Sequence, residues 1–320
     1  MIYSTSYIKP FLSGIILASA TFLFSCQESV AMPHHGEFSE VHNPKIPSKI
    51  EFAGQNVNLD RVDMFERLDR ELSSLIYSHG NTLLTLKRAN KYFPVMAPIL
   101  KKNGVPLDLL YLACVESYLN HRAYSPAKAA GFWQFIPATA TQYGLEVSDE
   151  VDERYNLEKA TEAACRYLNN AFKKYGDWAT VMASYNGGMG RISSELEKQK
   201  SNTFFDLYLT EETSRYVFRI MAMKIVLENP SAFGFKLTQD QFYQPVECEI
   251  EEVNGPVEDW PSWAATRGLT YAQLREENPW IRSKKLTNKS GKTYRVRVPM
   301  KSSLYRSTNN KSLYNPKWIN

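Results

Sequence analysis

A chain of 320 residues with 43% hydrophobic and 13% aromatic composition has enough apolar content for one or two folded domains, which excludes a largely disordered protein. Its net charge of +4 is too small to indicate nucleic acid as a partner. The charge is uneven: residues 278–320 hold eleven Lys or Arg and no Asp or Glu, which leaves 27 basic against 34 acidic residues elsewhere.

Residues 1–25 carry a single charge, Lys9, followed by the apolar run 11–24. That run is too short for a mature membrane span and suits a signal-peptide core. It ends in Leu23-Phe24-Ser25-Cys26, which resembles the lipobox of bacterial lipoproteins, although Phe24 is larger than usual there. The resemblance implies a lipid on Cys26 and membrane attachment through it. Gln27 after the cysteine implies the outer membrane, facing the periplasm. An ordinary signal peptide or an uncleaved anchor would also export the chain. The other cysteines, Cys114, Cys165 and Cys248, form neither a disulfide framework nor a metal-type pair. Cys114 and Cys165 lie in apolar helical stretches and read as buried thiols, with a Cys114–Cys165 bridge as the alternative.

Residues 26–58 are rich in Pro, Gly, Ser, His and Glu without periodicity and read as a flexible tether. His34, His35 and His42 belong to it and read as solvated. From 59 to 235 the pattern is that of one helical domain. Val62, Phe65, Leu68, Leu72, Leu75 and Ile76 recur at helical intervals. The stretch 82–100 contains Pro94 and Pro98, which should break or kink it. Val105-Pro106-Leu107-Asp108 opens a further helix, and helical segments follow at 137–143, 157–175, 178–184 and 214–227. Residues 245–300 change character to strand–helix–helix–strand: 246–253 and 293–299 alternate, and two short helices lie between. Residues 301–320 read as an unstructured basic tail.

Three clusters can carry chemistry. The run 109–119 is apolar on every side, so its helix should be central, and Glu116 is its single acid. Desolvation there should raise the carboxyl pKa towards that of a general acid near neutral pH; a helix-end carboxylate emerging into solvent is the plainer alternative. Next, Gly131-Phe-Trp-Gln134-Phe-Ile-Pro137 sets one amide among aromatic residues, a combination suited to sugars and equally to a core segment. Finally, Ser184-Tyr185-Asn186-Gly187 ends a helix.

Glu116-Ser117, Ser125-Pro126, Gly131–Pro137, Tyr185-Asn186 and Glu212-Thr-Ser-Arg-Tyr216 occur in one order that resembles the lytic transglycosylases with a goose-lysozyme-like catalytic domain. The resemblance covers about residues 85–230. It implies a mainly α fold, a lysozyme-like helical catalytic domain followed by a small α+β (βααβ) unit. It implies cleavage of the β-1,4 bond between N-acetylmuramic acid and N-acetylglucosamine in peptidoglycan. Glu116 would protonate the glycosidic oxygen and then accept the proton of the muramyl C6 hydroxyl, giving a 1,6-anhydro product. Ser125, Gly131, Gln134, Tyr185, Asn186 and Tyr216 would bind substrate, with Ser125 and Tyr185 on the acetamido group. The substrate supplies its own nucleophile, so neither metal nor cofactor is implied. Lys128, Phe132 and Ser184 depart from the family's usual Gly, Leu and Ala. Residues 245–300 resemble LysM modules, which bind N-acetylglucosamine-containing glycans, without the usual Gly-Asp-Thr opening. Two other readings remain: a non-enzymatic wall-binding lipoprotein, and a lysozyme-type hydrolase with Asp149, Glu150 or Asp152 as second acid.

Overall fold

The structure, a computed structural model, describes residues 43–306 and 311–319. The leader, Cys26, His34, His35 and His42 lie outside the described residues.

The chain enters through a two-stranded antiparallel hairpin, β1 (Lys49–Phe52) and β2 (Gln55–Asn58), with Phe52 opposite Gln55. Residues 49–58 are therefore not tether. Alternation places Ile50 and Phe52 in the core, and the turn residues Ala53 and Gly54 both take positive φ, as a two-residue hairpin of the right twist needs. An ion pair fastens the hairpin: Ala53 N donates to Asp108 Oδ2 at 2.6 Å, and buried Lys224 reaches the same oxygen at 2.8 Å.

Helix α1 (Val62–Tyr77) follows, and its buried stripe is Met64, Leu68, Leu72 and Ile76. Val62 and Phe65, expected on that stripe, are 71% and 44% exposed. Helix α2 (His79–Lys102) runs unbroken through Pro94 and Pro98. Each proline costs a helix interior about 3 kcal/mol. Full burial of Leu86, Ala89, Phe93, Met96 and Leu100 opposes that cost, at roughly 1.5–3 kcal/mol per large side chain.

Helix α3 (Leu110–Ser117) is short and central, with Leu110, Leu112, Ala113 and Cys114 buried. It stops because Tyr118 and Leu119 take left-handed backbone conformations. Around it stand α4 (Pro137–Gln142), α5 (Leu157–Tyr175), α6 (Trp178–Gly187), α7 (Met189–Lys198) and α8 (Glu211–Glu228). Side chains start two of these: Asn156 Oδ1 accepts from Lys159 N at 3.0 Å, and Asp177 Oδ2 from Thr180 N at 2.9 Å. Helix α8 packs on α1, α3 and α6 and is the spine of the helical region. Cys114 and Cys165 are free and buried.

The C-terminal unit has the expected βααβ order. Strands β3 (Cys248–Val253) and β4 (Tyr294–Pro299) pair antiparallel, Cys248 opposite Pro299, around α9 (Trp260–Ala265) and α10 (Tyr271–Glu277). Its core of Trp260, Leu274, Trp280 and Val296 takes in Ala130, Val151 and Tyr155 from the helical region, so the two share a buried seam. Arg282 N donates to Glu150 O at 2.8 Å across it.

The basic tail also differs from expectation. Trp318 is buried, stacks on Phe242 at 5.7 Å, and donates its indole N–H to Leu227 O at 2.6 Å. The tryptophan thus has both an apolar slot and a carbonyl acceptor, and buried Asn90 adds bonds to Ser312 O at 3.0 Å and from Tyr314 N at 2.8 Å, so residues 311–319 lie on the helical core.

Candidate active site

Glu116 sits on the last turn of α3, half-buried, and its carboxylate accepts a hydrogen bond from the Tyr216 hydroxyl on α8. Burial pushes the Glu116 pKa up to about 7, the Tyr216 hydrogen bond opposes the rise, and the charge of Glu212 adds to it. Near neutral pH the group is thus divided between acid and base forms, as a residue that must both give and take a proton requires. Burial also holds the phenols of Tyr185 and Tyr216 well above their ordinary pKa, so both remain hydrogen-bond donors.

The segment 123–137 is laced to α3 and α6 through its backbone. Ser117 Oγ donates to Phe132 O at 2.9 Å, and Tyr185 Oη donates to Trp133 O at 2.7 Å. Between these two contacts the residue after the acid and the tyrosine of α6 hold one loop from both sides. Trp133 is fully buried and its Nε1 donates to Thr161 Oγ1 at 3.0 Å. Gly131 has φ +74°, and a Cβ there would lie 2.0 Å from Arg154 O. Only glycine permits that approach.

Other expected site residues are half-buried and hold the loop and the end of α6. Ser125 Oγ accepts from Ala129 N at 3.1 Å and closes the turn that carries Lys128. Gln134, at φ +49°, donates its amide to Gly131 O at 2.7 Å, bracing the loop. Asn186 Oδ1 accepts from Thr213 Oγ1 at 2.9 Å, joining the end of α6 to the start of α8. The structure therefore joins Glu116 to Tyr216 directly, sets Tyr185 where the charge of Glu116 reaches its phenol, and ties Gly131, Gln134 and Ser125 to them through the loop backbone.

Three residues with structural work at the site were not singled out by the sequence. Arg154 is buried and donates to Lys128 O at 2.6 Å and to Phe135 O at 3.0 Å, clamping both ends of the loop. Thr161 and Thr213 supply the partners of Trp133 and Asn186. Nothing in the local pattern marks them, because each acts through a contact distant in sequence. Lys128 takes φ +62° with its side chain exposed, a backbone conformation suited to the glycine usual there.

Two of the three candidate second acids, Asp152 and Glu150, are engaged elsewhere. Asp152 is buried against Arg154, with Oδ2 at 2.7 Å from its guanidinium. Glu150 Oε2 accepts from Thr287 N at 2.8 Å on the C-terminal unit. The carboxylate whose charge reaches Glu116 is that of Glu212. Among the described residues no group of three or more His, Cys, Asp or Glu is arranged to hold a metal ion.

Residues 95–207 match the transglycosylase SLT domain, and residues 249–302 match the soluble lytic transglycosylase C-terminal LysM-like domain. Membrane-bound lytic murein transglycosylase D of Escherichia coli strain K12 is 32% identical over 242 residues, 74% of this chain and 51% of that protein. Membrane-bound lytic murein transglycosylase C of Haemophilus ducreyi is 26% identical over 179 residues, 48% of either chain. The chain thus spans about half the length of these relatives. The crystal structure of the 70 kDa soluble lytic transglycosylase SLT70 from Escherichia coli overlaps 49% of this chain and 30% of its own, at 20% identity and a TM-score of 0.40.

Proposed function

Because this chain carries a transglycosylase SLT domain joined to the LysM-like domain of the soluble lytic transglycosylases, we propose that it is a peptidoglycan lytic transglycosylase. It cuts the β-1,4 bond between N-acetylmuramic acid and N-acetylglucosamine without adding water. The observation that carries this reading is Glu116 on the last turn of α3, its pKa raised to about 7 and its carboxylate held by Tyr216. In the first half-reaction the protonated carboxyl gives its proton to the glycosidic oxygen. The resulting carboxylate then takes the proton of the muramyl C6 hydroxyl, whose oxygen closes on C1. Bond breaking and ring closure leave Glu116 protonated again, so one acid serves both steps.

Tyr216 orients the carboxyl between the two transfers and stabilises its charged form. Tyr185 and Ser125 face the acetamido group, and Gly131, Gln134 and Asn186 complete the glycan contacts. A water-adding mechanism would ask for a second carboxylate to act as nucleophile or base, and the engagement of Asp152 with Arg154 and of Glu150 with Thr287 weighs against it. The LysM-like unit adds affinity for the glycan strand. Attachment to the outer membrane through a lipid on Cys26 keeps the enzyme beside its substrate; among the described residues no helix is long and apolar enough to cross a membrane. The muropeptides released from purified sacculi test the reaction. Products with a 1,6-anhydro end, one water lighter than the hydrolysed species, are expected, and products with reducing ends would refute it.

A further inference from the structure

The segment 150–155 lies between the C-terminal unit and the loop 123–137 and is bonded to both. Towards the C-terminal unit, Asp152 N donates to Trp280 O at 2.9 Å and Arg282 N donates to Glu150 O at 2.8 Å. Between these bonds Val151 stands opposite Ile281 in an antiparallel bridge. Trp280 is itself held in the core of that unit, stacked on Tyr294 at 5.5 Å. The Arg282 guanidinium covers the ring of buried Tyr155 at 4.4 Å.

Towards the loop, Asp152 and Arg154 form a buried pair, 6% and 4% exposed. Asp152 Oδ1 accepts from Arg154 Nε at 2.9 Å, and Oδ2 accepts from Nη2 at 2.7 Å. Two parallel bonds of this kind fix the plane of a guanidinium. They leave Nη1, and Nη1 is the nitrogen that donates to Lys128 O at 2.6 Å and to Phe135 O at 3.0 Å. The Asp152 carboxylate therefore aims the group that holds both ends of the loop. A lysine ammonium, a point charge on a flexible stem, could not make these four contacts in one plane.

A buried ion pair often adds nothing to stability over apolar side chains of the same volume. Stability alone thus gives little reason for a charged pair at this position, whereas direction does. The middle of the same loop is held by Ser117 on Phe132 O and by Tyr185 on Trp133 O, and Ser117 follows Glu116 in sequence. A continuous line of contacts runs from Trp280 through Asp152 and Arg154 to the loop beside the acid.

We propose that Asp152 is a positioning residue for the cleavage reaction and that through it the C-terminal unit sets the loop at the active site, an inference that rests on the function proposed above. The C-terminal unit is then part of the frame of the active site, in addition to any grip it has on the wall. Even a glycan too short to reach the far side of that unit depends on it for turnover.

The test uses the full-length protein and soluble tetrasaccharides of the glycan strand. Asp152→Asn alone leaves the Arg154 charge buried without its partner and is expected to impair folding. The deciding variant is therefore Asp152→Asn/Arg154→Gln, which removes both charges together, measured on protein shown to be folded. Its kcat should fall about tenfold, because small displacements of groups that place a substrate are costly, and its KM should rise several-fold. Loss of folded protein alone would lower turnover and leave KM where it was. The alkaline limb of the pH–rate profile should not move, since Tyr216 still holds Glu116. Ile281→Ala, which loosens the bridge from the C-terminal unit, should raise KM in the same sense, and adding it to the double variant should have no further effect. In protein labelled with fluorotryptophan, the Trp133 resonance, assigned with Trp133→Phe, should shift in both variants. That signal reads the loop without catalysis, so it decides the proposal even for a protein that cuts nothing, an outcome that would reject the proposed function alone. A wild-type KM in the folded double variant, an independent additive effect of Ile281→Ala, or an unmoved Trp133 resonance would overturn the proposal.

Discussion

The Tyr216 hydroxyl donates to the Glu116 carboxylate across one hundred residues of sequence, joining α8 to the last turn of α3. Burial and this hydrogen bond pull the pKa in opposite directions, and burial wins. The Glu116 carboxyl is therefore tuned by two packed helices and is only as well placed as their contact.

Removing the hydroxyl should move the titration in a defined direction. The hydrogen bond lowers the Glu116 pKa, so Tyr216→Phe should raise it further above about 7. The protonated acid would then persist to higher pH, and the alkaline limb of the pH–rate profile should shift upward. A hydrogen bond to a charged group is worth about 1.5–3 kcal/mol, and turnover at neutral pH should fall by one to two orders of magnitude. An unshifted profile with reduced turnover would mean that Tyr216 only positions substrate.

Gly131 is a steric requirement. An added methyl would meet Arg154 O at 2.0 Å, on a backbone that L side chains rarely adopt. Gly131→Ala should cost about 1–3 kcal/mol from overpacking alone, and the loop that holds Trp133 O against Tyr185 should shift. Thermal denaturation and turnover should both fall. A melting temperature equal to wild type would refute the close approach.

The C-terminal unit is fastened too firmly to be removed without effect. Truncation after residue 235 would expose Ala130, Val151 and Tyr155 and take away Trp318. Losing buried large side chains typically costs several kcal/mol. The truncated protein should melt well below the full chain, and its weaker sedimentation with peptidoglycan should be measured on protein shown to be folded. A truncated chain as stable as the whole would show the seam to be unimportant.

Membrane attachment is tested at Cys26. Cys26→Ala should leave the protein unprocessed or soluble in the periplasm, as read by fractionation and by globomycin-sensitive processing. Wild type recovered in the soluble periplasmic fraction would remove the anchor.

The central helix was legible because its pattern is local: a run apolar all round reads as a buried helix, and the structure buries Leu110, Leu112, Ala113 and Cys114 there. The βααβ unit was legible from alternation at 246–253 and 293–299 and from the two short helical segments between them. What escaped the sequence acts over distance. The hairpin at 49–58 has linker composition, and its two inward residues, Ile50 and Phe52, matter only because Asp108 and Lys224 wait for them. The prolines of α2 marked a break that tertiary packing overrode. The tail was read from its charge, whereas residues 311–319 are held by Trp318 against Leu227 and Phe242 and by buried Asn90 against Ser312 and Tyr314. The stripe of α1 was placed a step off because Met64, and not Val62 or Phe65, faces α8 and the hairpin.

The measurement that tests the account most directly is turnover of Glu116→Gln on purified sacculi. The amide preserves shape and removes the titrating proton, and it avoids burying a charge, so folding should survive. General acid–base transfer contributes about 10²–10⁴-fold, and a group used in both half-reactions should place the loss at or beyond the upper end. The account predicts a folded protein that releases essentially no anhydromuropeptides while wild type releases them readily. A folded Glu116→Gln protein that keeps more than about one hundredth of wild-type activity, below the smallest loss expected of a general acid, would contradict it and move the search to Glu212.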